Sequence, residues 1–116
     1  MSSLTVENAH HPSVIDVVKH IADQHRSELG FHARQAYVDS LNKGELLIAK
    51  IDGCIVGFVR YHHRRDGCTT LYEIATSPDI RNKGVGRCLV QALIADCQRA
   101  ASRWIPRGIA RRRRCR

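Results

Sequence analysis

The sequence predicts an α/β (α+β) domain in which a mostly antiparallel sheet is flanked by helices. Three observations lead to this prediction. Apolar residues recur at helical spacing over 14–21 and 85–97, three short strand-like runs follow one another over 45–77, and Asp-Gly pairs separate these runs. With 116 residues, the chain has room for one small domain with a modest core.

The N-terminal part predicts one strand and two helices. Residues 4–7 are compatible with a short strand, and His11-Pro12-Ser13 opens a helix because Pro is tolerated in the first turn. Gly30 is the predicted stop of this helix, and residues 33–41 predict a shorter second helix. The residues expected to face the core are Val14, Val17, Val18 and Ile21 in the first helix, and Ala36, Tyr37 and Leu41 in the second.

Three strands are predicted next, over 45–51, 54–62 and 68–77. Asp52-Gly53 separates the first two and is a strong signal for a two-residue hairpin turn. The loop between the second and third strands also ends in an Asp-Gly pair, at Asp66-Gly67. These features predict an antiparallel meander.

A glycine-containing basic loop joins the third of these strands to a long helix. The strand stops before Pro78, which has no N–H for a ladder, and residues 81–87 lead into the helix. Gly84 and Gly86 let a ligand approach the backbone, and the first helical turn offers unpaired N–H groups to an anion. Arg81, Lys83 and Arg87 add positive charge, so the loop predicts a phosphate site. The residues expected on the buried face of the helix are Val85, Leu89, Val90, Leu93, Ile94 and Cys97.

Two common phosphate loops do not fit this stretch. The chain has no Gly-x-x-x-x-Gly-Lys-Ser/Thr run, and Leu89 stands where a dinucleotide fingerprint needs its third glycine. The stretch does resemble the acetyl-coenzyme A loop of the GNAT superfamily of N-acetyltransferases, whose pattern is Arg or Gln, two residues, Gly, one residue, then Gly or Ala. Arg81, Gly84 and Gly86 match it. The alternative is a plain strand–helix connection with solvated cations.

The resemblance extends over about residues 3–100, and Gly57 is similar to a glycine in the family's third strand. It implies acetyl-CoA as cosubstrate, an amine as acceptor and no metal. Main-chain groups of the fourth strand would hold the pantetheine arm, the loop would hold the pyrophosphate, and the Thr76 N–H would stabilise the oxyanion of the thioester. The cofactor-binding residues implied are Ile74, Ala75, Thr76, Arg81, Asn82, Lys83, Gly84, Val85, Gly86 and Arg87.

Glu73 is the candidate catalytic base beside Thr76, because a carboxylate in the middle of this strand can accept the proton of the attacking amine. The alternative role is a cross-strand ion pair with Arg60. His62 and His63 are adjacent on a strand and face opposite sides, so they are poorly placed to share a metal. One of them is a candidate base, but a solvent-facing position at the strand end is the simpler reading.

Charge divides the chain into a nearly neutral domain over 1–102 and an Arg-rich tail over 103–116, which holds seven arginines and no acid. In the family, a full domain continues with a fifth strand and further elements, so the resemblance implies a C-terminal part that is missing or altered. An unpaired fourth strand would favour a homodimer. The tail suits only nonspecific contact with nucleic acid.

The leading functional hypothesis is transfer of an acetyl group from acetyl-CoA to a primary amine of a small molecule or protein. The alternative is a catalytically impaired acetyl-CoA-binding or interaction module with a basic tail. The sequence lacks both a secretory pattern and an apolar run of membrane-spanning length, and its five cysteines form no Cys-x-x-Cys pair. A cytoplasmic setting without membrane contact is therefore expected.

Overall fold

The computed structural model describes residues 4–25, 33–78 and 84–104 of the chain. Within these residues it confirms the predicted class and the predicted order of elements. In chain order they are strand β1 (Leu4–Asn8), helix α1 (Val14–Asp23), helix α2 (Arg34–Asn42), strand β2 (Leu46–Ile51), strand β3 (Cys54–His63), strand β4 (Thr69–Thr76) and helix α3 (Val85–Trp104). Helix α1 ends at Asp23, with Gln24 as its C-cap, so the predicted stop at Gly30 is wrong. Gly30 itself and the Arg-rich tail beyond Trp104 lie outside the described residues.

The four described strands form one antiparallel sheet in the order β1-β2-β3-β4, which places β4 at an edge. The turn between β2 and β3 is the predicted hairpin. Asp52 and Gly53 have φ values of 53° and 84°, and two consecutive positive φ angles match the twist of the flanking strands. This turn therefore sets the register of β2 against β3.

A β-bulge interrupts the pairing of β3 with β4. Arg60 lies opposite Glu73, but the next residue, Tyr61, lies opposite Leu71. Tyr72 is the extra residue on β4, and such an insertion bends and twists the strand that carries it. The bulge brings Tyr72 to the same side of the sheet as Glu73, where the Arg60 guanidinium lies over the Tyr72 ring.

Helices cover both faces of the sheet, so the domain has three layers. Successive strand residues point to opposite faces. Phe58 accordingly packs with α1 and α2, whereas its neighbour Val59 packs with α3. The buried residues of the first side include Ile15, Val18, Ile21, Tyr37, Leu41 and Phe58; those of the second include Leu47, Ala49, Val59, Tyr61, Val85 and Leu89.

The buried faces of the helices are narrower than the sequence analysis expected. In α3, Val85, Leu89 and Leu93 are buried, but Val90 and Ile94 are 42% and 52% exposed. The sheet touches only one side of the helix, and residues spaced by four positions are the ones that line up on that side. Val17 of α1 is exposed for the same reason, while Ile15 and Ala22 take core positions. Ala36 of α2 is only half-buried.

No helix within the described residues is both long enough and apolar enough to cross a membrane.

Candidate active site

Among the described residues no strand pairs with the outer edge of β4, named the open edge below, and this edge presents main-chain groups from alternate residues. The Ser77 N–H donates to the Val56 carbonyl at 2.7 Å, and Thr76 lies opposite Gly57. In an antiparallel ladder, alternate residues direct both backbone groups toward the partner strand, and the residues between them direct theirs away. Ala75 therefore faces β3, whereas Ile74 and Thr76 face the open edge. A ligand that adds to this edge meets the main chain of two of the three predicted residues.

The start of α3 supplies backbone donors. Its first intrahelical bond runs from the Cys88 N–H to the Gly84 carbonyl, at 3.1 Å. The N–H groups of Val85, Gly86 and Arg87 precede this bond and have no partner within the helix, so they are available to an anion together with the positive end of the helix dipole.

Two glycines shape the space in front of these donors. Gly84 has a φ of 75°, a backbone conformation that side chains rarely adopt. A Cβ added at Gly84 or at Gly86 would meet no atom within 4 Å among the described residues. The backbone at both positions is therefore open to close approach by a ligand.

Gly57 of β3 brings the helix start and the strand edge together. A Cβ at this position would lie 3.0 Å from Val85 Cγ1, 3.1 Å from the Ala75 carbonyl oxygen and 3.3 Å from Leu89 Cδ1. Because Gly57 is also opposite Thr76, the first turn of α3 lies over the end of β4. The missing side chain at Gly57 thus unites the two parts of the predicted site.

Glu73 lies in a buried ion pair with Arg60, the alternative that the sequence analysis named. Arg60 Nε is 2.9 Å from Glu73 Oε1, and the Glu73 side chain is only 1% exposed. The Arg60 guanidinium lies between the rings of Tyr37 and Tyr72, 5.2 and 4.7 Å from their centroids. Burial, with a hydrogen bond to Glu73, raises the pKa of Tyr37 well above its usual range. The base role of Glu73 remains a prediction.

His25 lies beside the candidate site, although no sequence pattern singled it out. It follows α1, and its N–H donates to the Ala22 carbonyl at 3.0 Å. The ring atom Nε2 lies 2.8 Å from the Thr76 carbonyl oxygen, which can only accept, so Nε2 carries the proton. Because 51 positions separate the two residues in sequence, no local pattern marks His25 among the chain's seven histidines.

His62 and His63 face opposite sides of the sheet, as predicted. His62 Nδ1 is 2.9 Å from Glu45 Oε1 on the α1/α2 side. His63 bridges Thr69 Oγ1, at 2.8 Å, and Asp96 Oδ2, at 3.1 Å, on the α3 side. The expected solvent-facing position is wrong for His63, whose side chain is 12% exposed because α3 covers it.

Asp96 is the common acceptor in a hydrogen-bonded cluster formed with Tyr61, His63 and Arg99, named the Asp96 cluster below. Its carboxylate also accepts a hydrogen bond from the Tyr61 hydroxyl at 2.7 Å and one from Arg99 Nη2 at 2.9 Å. Burial opposes ionisation, but the hydrogen bonds from Tyr61, His63 and Arg99 outweigh it and lower the pKa of Asp96. The cluster ties the end of β3 to α3. Within the described part of the chain, no group of His, Cys, Asp or Glu is arranged to hold a metal ion.

The structure therefore brings together Ile74, Thr76, Gly84, Val85, Gly86 and Arg87, with His25 beside Thr76. The predicted loop residues Arg81, Asn82 and Lys83 lie outside the described residues.

Comparison with known proteins gives a family and a fold. The sequence profile of the acetyltransferase (GNAT) family matches residues 13–108. A search of curated proteins returns no match.

Three solved structures illustrate the likeness. Ard1 from Thermoplasma volcanium superimposes with a TM-score of 0.73 at 21% identity, over 84% of this chain and 66% of that one. N-acetylglutamate synthase from Neisseria gonorrhoeae, complexed with coenzyme A and N-acetyl-glutamate, gives 0.75 at 18% identity, over 84% and 23%. The ribosomal-protein-S18-alanine N-acetyltransferase from Escherichia coli gives 0.67 at 21% identity, over 84% and 61%.

The chain spans less than two thirds of the length of each of these three proteins. At these identities the superpositions establish the fold, whereas the sequence profile covers most of the chain and establishes the family. The chain belongs to the GNAT acetyltransferase family.

Proposed function

We propose that this protein transfers the acetyl group of acetyl-CoA to a primary amine of a small molecule or protein. The observation that carries the proposal is the junction at Gly57, where the edge-facing main chain of Thr76 lies beneath the donor-rich start of α3. A ligand with an extended amide-containing arm and a pyrophosphate needs these two surfaces side by side.

The described residues offer groups for two parts of the coenzyme, the pyrophosphate and the pantetheine arm. The N–H groups of Val85, Gly86 and Arg87 would bind the pyrophosphate, with Arg81, Asn82 and Lys83 contributing from the preceding loop. The main chain of Ile74 and Thr76 would pair with the pantetheine arm as an added strand. Among the described residues, no atom lies within 4 Å of a Cβ placed at Gly84 or Gly86, which leaves this approach clear of them.

The reaction would take place beside Thr76. Its N–H faces the open edge and would donate to the thioester oxygen, where negative charge develops as the amine attacks. The C–S bond then breaks and the thiolate takes a proton, which gives an amide and free coenzyme A. The name of the similar synthase refers to an acetylated amino acid, N-acetylglutamate. The name of the similar acetyltransferase from Escherichia coli refers to an alanine of a ribosomal protein. Both acceptor classes therefore belong in the test.

The experiment is a calorimetric titration of the protein with acetyl-CoA, followed by a thiol-release assay. The acceptor panel would contain free amino acids, a polyamine and peptides with free N-termini. Saturable binding and amine-dependent thiol release are expected. Binding without release for every amine would instead support a coenzyme-binding module, and the absence of binding would refute the assignment of the site.

A further inference from the structure

His25 places an ionisable ring at the proposed reaction point. Its Nε2 contacts the Thr76 carbonyl oxygen, and the N–H and C=O of Thr76 face the same edge of β4. Within one residue these two groups lie about 3 Å apart along the strand, which is the rise of a β-residue. The ring proton of His25 is therefore close to the N–H that we assign to the thioester oxygen.

The other titratable groups near this edge are engaged elsewhere. Glu73 is paired with Arg60, and the Tyr37 hydroxyl is hydrogen-bonded to Glu73. His63 and Tyr61 lie on the opposite side of the sheet, under α3. Among the described residues, His25 is the titratable side chain that contacts the edge-facing main chain of Thr76.

We propose that His25 is the catalytic acid that protonates the departing coenzyme thiolate, an inference that rests on the proposed function. The lone pair of the amine forms a bond to the thioester carbon, and the C–S electron pair leaves with sulfur. The Nε2 proton of the imidazolium shifts from the Thr76 carbonyl to this sulfur. The proton that the acetylated nitrogen loses returns to His25, so an amine and a thioester give an amide and a thiol with the ring restored.

Substitution separates this role from a structural one. A Gln side chain at position 25 can still donate an N–H to the Thr76 carbonyl, but it cannot deliver a proton to sulfur. His25→Gln is expected to lower kcat on the order of a hundredfold. Calorimetry should show coenzyme affinity within about twofold of the wild type, because the substitution leaves the contacts of the coenzyme with β4 and with the start of α3 in place. His20→Gln, an exposed change on α1, is the matched control and should keep full activity.

Full activity in His25→Gln, combined with losses of stability and activity in His25→Ala, would show that the contact is only structural and would overturn the proposal. The comparison uses the full chain, with each rate expressed per folded molecule from circular dichroism.

A second readout needs no turnover. A charged His25 ring beside the sulfur should stabilise the thiolate of bound coenzyme A, so across a pH titration the pKa of the bound thiol should be lower in wild-type protein than in His25→Gln. Ultraviolet absorbance of the thiolate measures this pKa with free coenzyme A as probe. Equal pKa values would overturn the role of His25 alone. Failure of coenzyme A to bind either protein would overturn the proposed function together with this inference.

Discussion

Gly57 and Val85 approach so closely that a single methyl group on Gly57 would lie 3.0 Å from Val85 Cγ1. This contact joins the middle of the sheet to the first turn of α3, and the position of that turn decides whether its N–H groups reach the end of β4. The site therefore depends on a residue that contributes no side chain.

Gly57→Ala is expected to destabilise the protein by about 1–3 kcal/mol, because the added Cβ also meets the Ala75 carbonyl oxygen, which cannot rotate away. It should weaken coenzyme binding as well, by displacing the start of α3. Denaturant melts and calorimetry would measure both effects. Gly86→Ala is the control for stability alone, since its methyl group would meet no atom of the described residues within 4 Å. A Gly57→Ala protein with unchanged stability and affinity would refute the close-packing argument.

Gly86→Glu should abolish coenzyme binding while α3 still forms. The new carboxylate would occupy the space in front of the free N–H groups and repel the pyrophosphate. Gly86→Gln separates charge from bulk, because it fills the same space without the negative charge, and it should retain more affinity than the Glu variant. Calorimetry on folded protein tests this prediction. Unchanged affinity in Gly86→Glu would exclude the start of α3 as the phosphate site.

Glu73→Gln should lower the free energy of unfolding by about 3–5 kcal/mol, since it leaves the buried Arg60 guanidinium without its counter-charge. A base role would add a separate effect, a loss of turnover that is greatest at low pH, where few acceptor amines are neutral. Denaturant melts beside rate–pH profiles distinguish the two.

The double variant Arg60→Met, Glu73→Gln refines this test. Replacing both partners removes the uncompensated charge and should recover part of the stability. If activity per folded molecule recovers as well, Glu73 is structural and is not the base.

The Asp96 cluster should make stability sensitive to acid. The lowered pKa of Asp96 means that its contribution is fully present above the pKa of the unfolded carboxyl, about 3.9, and is lost as the pH falls through the lower folded value. Asp96→Asn should flatten the acid limb of a plot of unfolding free energy against pH. Asp16→Asn changes an exposed carboxylate and should leave most of that limb in place. Identical acid limbs in wild type and Asp96→Asn would contradict the assignment.

Self-association through the open edge of β4 remains a prediction. Leu89 and Leu93 pack on the sheet, whereas Leu71 of β4 and Val90 and Ile94 of α3 are exposed. An unpaired edge strand and exposed apolar residues favour pairing with a second copy while no coenzyme occupies the edge. Light scattering should detect dimers at roughly tens of micromolar, a concentration that populates weak complexes.

Ile94→Lys should shift this equilibrium toward monomer. Val17→Lys is the matched control, because Val17 is exposed on α1, across the sheet from α3. A wild-type protein that stays monomeric in the same range would refute self-association, and equal effects of the two substitutions would show that this surface is not specific.

Local sequence patterns determined much of the fold. Asp52-Gly53 predicted its hairpin because only a few residue pairs adopt two consecutive positive φ angles. The helical spacing over 85–97 predicted α3, and the glycine pattern at Gly84 and Gly86 pointed to the ligand site and the family. These signals depend on the conformational preferences of neighbouring residues, so they can be read without knowledge of the packing.

Tertiary packing decided what lies between distant residues. The contact of His25 with Thr76 spans 51 positions, and the burial of His63 depends on where α3 crosses the sheet. Helical periodicity could not show that Val90 and Ile94 face away from the core. It indicates which residues share a face of the helix, but not how much of that face the sheet buries. The bulge at Tyr72 likewise follows from the register of two strands. Such features depend on the relative placement of whole elements, which arises only when their apolar faces are buried together.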